Sequence, residues 1–154
     1  MDIYERLEEL GLEIPSPSLK GGIYKTVKQV GPVLYLSGQG SRGKGLPETL
    51  GKIGADRTIE EGQHASRTCV IKALSFLHEY LGDLNRIKSV IKMLVFVSSA
   101  DGFNQQPKVA DGASQLLTDI FGSDAGQGAR SAIGVNELPG NISVEIEFMF
   151  EVRD

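Results

Sequence analysis

A single mixed sheet with two long helices packed on one face, an α+β layout, is predicted by three features of this sequence. A helical stretch opens on a capping motif at Thr58 and stops at Gly82. A second helical stretch covers residues 107–121. Strand-like runs precede, separate and follow them, and the last alternates apolar and polar residues from Ile142 to Val152. The chain has 154 residues, enough for one domain with its own core and too few for two.

Residues 2–10 place Ile3, Leu7 and Leu10 at helical spacing, and Gly11, Pro15 and Pro17 then stop the helix. An extended lead-in to residue 19 is expected. Two strands are predicted at 23–30 and 33–37, with Gly31-Pro32 as the turn between them. The glycine-rich stretch 38–54 reads as loop, with room for a short strand.

Thr58 and Glu61 form a T-x-x-E capping box, each side chain bonding a backbone N–H of the other residue. Ala65, Cys69, Ala73, Phe76, Leu77 and Tyr80 follow on one face. The run through 87–98 contains Val90, Ile91, Leu94, Val95, Phe96 and Val97, and predicts a central strand with both faces covered or nearly so. The second helix carries Pro107 in its first turn and presents Val109, Ala113, Leu116, Leu117 and Ile120 inward, with Gly122 as its stop. Residues 131–135 are a strand expected to pair with the final one across the turn at 136–141.

Composition narrows the function classes. Forty per cent of residues are apolar and 23% charged, as in ordinary globular proteins. A net charge of −4 provides no general attraction to phosphate backbones, so nucleic acid is not expected as a partner. Cys69 stands alone and permits no internal disulfide, which fits a reducing compartment. The acidic amino terminus does not read as a secretory signal, and no run approaches the ~20 apolar residues of a membrane span. A cytoplasmic protein is expected.

Several chemical motifs fail on inspection. Gly38-Gln-Gly-Ser-Arg-Gly-Lys44 fits the phosphate-loop spacing, but Gly45 replaces the magnesium-binding hydroxyl and no helix follows. His64 and His78 have no ligand partners at zinc-site spacing. Cys69 lies on an apolar helix face, the setting of an inert thiol. The carboxyl-terminal third is more informative. Arg130, in Ala129-Arg-Ser-Ala-Ile-Gly-Val135, is suited to clasp a carboxylate with two parallel hydrogen bonds. Glu145 and Glu147 share the polar side of the last strand, a pattern that equally fits a solvated face.

Leu36-Ser-Gly-Gln39, Ala129-Arg-Ser131, and Leu138-Pro139 followed by Val144-Glu-Ile-Glu147 resemble the Rid/YjgF (L-PSP) family over roughly residues 20–152. The long first segment and Lys108-Val-Ala-Asp-Gly-Ala-Ser114 look like a divergent branch. The resemblance implies a chorismate-mutase-like fold and a homotrimer around a barrel-like core, with small carboxylate-bearing metabolites bound in clefts between subunits. For the imine deaminases of that family it implies that Arg130 grips the substrate carboxylate and Glu145 positions the attacking water. It further implies that Tyr24 and Ser37 shape the pocket and that Gly38 lets backbone approach the ligand. No metal or organic cofactor is implied. Ala132 stands where those deaminases commonly have cysteine, and Asp111 where asparagine is usual. Both departures favour a catalytically silent carboxylate-binding trimer as the alternative, and the family's endoribonuclease label provides a third, weaker reading.

Overall fold

The computed structural model describes residues 1–18 and 22–154. Leu19, the last residue of the expected lead-in, lies outside them. In chain order the elements are α1 (Ile3–Glu9), β1 (Val27–Val30), β2 (Val33–Gly40), α2 (Ile59–Leu81), β3 (Ile87–Ser98), α3 (Gln106–Gly126), β4 (Ala129–Val135) and β5 (Val144–Val152). The five strands form one sheet in the order β1-β2-β5-β3-β4, and the architecture is mixed α+β as the sequence predicts.

Local chemistry sets the helix ends where the pattern placed them. The Thr58 side chain accepts from the Glu61 N–H while the Glu61 carboxylate accepts from the Thr58 N–H, so two otherwise orphaned donors are satisfied together. Gly82 closes α2 in the left-handed conformation at φ 74°. In α3, Gly122 has φ 84° and ψ 165°, which breaks the helix after Phe121 and leaves one further turn. The Asp2 side chain caps α1 by accepting from the Tyr4 and Glu5 N–H groups.

The inner faces of α2 and α3 cover one side of the sheet. Ala65, Cys69, Ala73, Leu77, Val109, Ala113, Leu116, Leu117 and Ile120 are buried there against Leu34, Val95, Ile146 and Phe150. Each fully buried leucine, isoleucine or phenylalanine contributes about 1.5–3 kcal/mol relative to exposure. Tyr80, expected on that face, is instead exposed, and its hydroxyl donates to the Gln29 side chain at 3.1 Å.

Three other expectations are corrected. The first strand starts at Val27 rather than residue 23, and Ile23 is fully exposed. β3 is covered on one face only: Val90, Met93, Val95 and Val97 are buried, whereas Ile91, Leu94 and Phe96 are half-buried. Most consequentially, β4 does not pair with β5. It lies parallel to β3, and β5 runs antiparallel between β2 and β3. Helix α2 carries the chain over the slot between β2 and β3, and β5 fills it. A strand whose alternate residues are Val144, Ile146, Phe148, Phe150 and Val152 buries more apolar surface in that central slot than at an edge.

Candidate functional site

The sheet is least regular where β2 passes β5. Leu36 pairs with Phe148 but Gln39 pairs with Ile146, so β2 holds an extra residue between them, a β-bulge at Ser37-Gly38. β1 begins beside it: the Ser37 N–H donates to the Thr26 carbonyl at 3.0 Å. A pocket of about 370 Å³ opens at the bulge. Gly38, Gly40 and Arg42 wall it from β2 and the loop beyond, Tyr24 from the segment before β1, Lys72 from α2 and Glu145 from β5. A Cβ at Gly38 would lie 2.8 Å from Cδ of Glu145, so the carboxylate sits where only glycine leaves room.

Glu145 is half-buried and makes no hydrogen bond or ion pair among the described residues. Burial pushes its pKa above the usual carboxylate range, the neighbouring Glu147 charge adds to this, and Lys72 opposes both. Lys72 is the counterpart: burial and the positive charge of Arg42 lower its pKa, and Glu145 counteracts them. It too has no bonded partner among the described residues. Arg42, by contrast, is spoken for, with Nη1 donating to Glu48 at 3.3 Å. The pocket therefore contains one carboxylate and one ammonium, both partly desolvated and neither neutralised by a bonded partner. Groups in this condition favour a ligand that completes them.

The other predicted residues gather elsewhere. Arg130 pairs in register with the buried Met93, and Glu145 with the half-buried Phe96 three residues along β3, so the two side chains project from opposite faces of the sheet. Arg130 Nη1 donates to Asp111 at 2.8 Å and to the Ser114 hydroxyl at 3.0 Å, both on α3. Ala132 shares this face of β4 and packs against the core. Asp111 is thus a direct partner of the arginine. Of the seven residues singled out, Tyr24, Gly38 and Glu145 line one pocket. Ser37 lies on the bulge behind it, its hydroxyl directed to the Thr26 carbonyl at 3.4 Å. Arg130, Asp111 and Ala132 form a separate group.

Sequence reasoning missed Lys72 and Arg42. A signal existed for the first: Lys72 is three residues after Cys69 and four before Phe76, so it intrudes on the inward arc of α2. The glycine-rich 38–45 stretch, set aside as a phosphate loop, does supply the pocket wall without a following helix. Cys69 is buried, with its thiol pKa raised by desolvation, the state of an unreactive side chain. His78 is not solvent-facing alone: its Nδ1 lies 3.0 Å from the Tyr4 hydroxyl, tying α1 to α2. Among the described residues no helix is long and apolar enough to cross a membrane.

Comparison with known proteins places this architecture. Residues 4–151 match the model of a family described as YjgF/chorismate-mutase-like with a proposed endoribonuclease activity. The protein TCP17 of Trypanosoma cruzi is 36% identical over 148 residues, covering 96% of this chain and 92% of its own. A protein of Agrobacterium tumefaciens with 36% identity superimposes with a TM-score of 0.89, covering 98% of this chain and 92% of its own. One from Shewanella oneidensis, 31% identical, reaches 0.92 over 99% of this chain and all of its own. Escherichia coli TdcF, solved with bound serine, is 23% identical with a TM-score of 0.59, covering 90% and 94% of the two chains, and shares the fold. With the family model spanning nearly every residue, this chain belongs to the YjgF/chorismate-mutase-like (Rid) family.

Proposed function

We propose that this protein hydrolyses 2-imino and enamino acids to 2-keto acids and ammonia without a cofactor. The observation that carries this reading is Glu145: a half-buried carboxylate with raised pKa and no bonded partner, held against Gly38 in an open pocket. A protonated imine is already electrophilic, so the reaction needs an oriented water and a base more than a strong nucleophile. Glu145 accepts a proton as water adds to the imine carbon and returns it to the departing nitrogen. The C–N bond breaks as the added hydroxyl becomes the carbonyl, its proton passes to the departing ammonia, and the keto acid and ammonium leave. The serine bound by E. coli TdcF supports a small amino-acid-like ligand.

Arg130 grips the substrate carboxylate in this reading, and since it projects from the opposite face to Glu145, it comes from a second copy. Half-buried or exposed Tyr35, Leu94, Phe96, Ile133 and Met149 on the uncovered face of the sheet support association into the homotrimer. The Asp111–Arg130 contact favours a second reading, a silent carboxylate-binding trimer, because a ligand must compete with Asp111 for the guanidinium. Ammonia and keto-acid release from 2-aminoacrylate, generated in situ, decides between them. Acceleration over the spontaneous rate that Glu145→Ala and Arg130→Ala abolish is the expected result. A folded trimer that accelerates no imine refutes the hydrolase.

A further inference from the structure

We infer that Lys72 is a carboxylate-binding residue of this pocket, a contact made within the chain and additional to any that Arg130 makes. The inference rests on the reading that the Glu145 pocket takes a carboxylate-bearing ligand, and it narrows that ligand to one with a carboxylate and a cationic nitrogen close together. Lys72 reaches the pocket from the inward arc of α2, with its Cδ 3.6 Å from the Cβ position of Gly43. Its stem is thereby packed while its ammonium has no hydrogen bond or ion pair among the described residues. Helix formation does not require a lysine here, since neighbouring positions on the same arc, Cys69, Ala73 and Phe76, are buried and apolar. A partly desolvated ammonium without a bonded counter-ion costs stability, and a bound carboxylate offsets that cost.

The second charge in the pocket fixes the rest of the ligand. Glu145 and Lys72 sense each other electrostatically, yet no ion pair joins them. A 2-imino acid satisfies both at once, its carboxylate towards Lys72 and its iminium towards Glu145. Arg42 at the pocket wall adds a weaker positive field, its charge shared with Glu48. A purely cationic ligand leaves Lys72 unsatisfied and meets repulsion from Arg42.

Titration of the whole chain with pyruvate, the keto-acid product class, and with neutral pyruvamide reads this contact without relying on turnover. Followed by calorimetry or NMR, wild type should bind pyruvate saturably at millimolar concentration. Lys72→Met, which keeps the length of the stem, should weaken it about tenfold or more, as loss of a charge-assisted hydrogen bond predicts. Lys72→Arg should recover most of the affinity, and pyruvamide should bind weakly and equally to wild type and Lys72→Met. With imine substrates, Lys72→Met should raise KM and change kcat little. Unchanged pyruvate affinity in Lys72→Met, or no saturable binding by wild type, overturns the inference. If turnover is absent while pyruvate binding depends on Lys72, the hydrolase falls and this assignment stands. If turnover is present and Lys72→Met has wild-type KM, the assignment alone falls.

Discussion

Arg130 and Glu145, the two charges that stood out in the carboxyl-terminal third, ended up in opposite circumstances. Arg130 is held by Asp111 and Ser114 on α3, so its charge is balanced and its geometry set by the protein itself. Glu145 lies against a glycine with no bonded partner, its proton affinity raised by burial and by Glu147. A compensated charge tells first about structure, and an uncompensated, half-buried one tells about a ligand. That difference moves the centre of the candidate site from the arginine to the β-bulge, where Lys72 shares the same incompleteness.

The largest expected effect comes from removing the uncompensated carboxylate. Glu145→Gln should lower imine turnover by roughly 10²–10⁴-fold, the range for loss of a general base, measured as kcat from ammonia release. Turnover within a few-fold of wild type places the chemistry elsewhere. A step down in size, Gly38→Ala inserts a methyl group 2.8 Å from the Glu145 carboxyl carbon. The carboxylate end is mobile, so the fold should survive while kcat falls about tenfold or more, since displacement of a reacting group by an ångström is that costly. Equal activity, with an unchanged circular dichroism spectrum, breaks the link between the bulge and the function.

Smaller effects probe the compensated side. Asp111→Ala releases Arg130 and should tighten pyruvate binding several-fold. Its stability should change by less than about 1 kcal/mol, because Asp111 is largely exposed and surface pairs are worth little. Weaker binding in that variant shows that Asp111 orients the guanidinium rather than competing for it. The smallest effect is in stability against pH. The folded chain holds the Glu145 proton more tightly than the unfolded chain, so this group's stabilising contribution is complete in acid and is lost as pH rises through the raised pKa. Glu145→Gln has no such loss. It should melt at about the wild-type temperature in acid and above the wild-type temperature at neutral pH. A lower melting point at neutral pH shows that the carboxylate is structurally satisfied after all.

Much of the fold was legible because its signals are local. The Thr58–Glu61 box, the stop at Gly82 and the break at Gly122 are each decided by one or two side chains or a missing Cβ. The two-residue period of β5 is equally local, and its apolar row is buried from Val144 to Val152. Ile23 and Tyr24 look strand-like and carry the first predicted strand too far, because the Cα register with β2 begins at Val27. Tyr80 continues the spacing of α2 and so has a core pattern, but at the helix end its hydroxyl finds Gln29 instead. At the site, Tyr24, Gly38 and Glu145 were legible through the family resemblance, while Lys72 was hidden inside an apolar helix face.

By itself the sequence determined which stretches are helix and strand, where the helices stop, which faces are apolar, and the family to which the chain belongs. Only the tertiary structure decided that β5 enters between β2 and β3 while β4 runs parallel to β3. Strand partnership is a competition among distant segments for buried positions, and no local period records its outcome. The same insertion brings Glu145 alongside the bulge of β2, so that a carboxylate, a glycine and a lysine far apart in the chain wall one pocket. It also turns Arg130 to the other face, where α3 supplies its counter-charge. Charge type is written in the sequence, but compensation depends on which desolvated groups the fold brings within reach of each other.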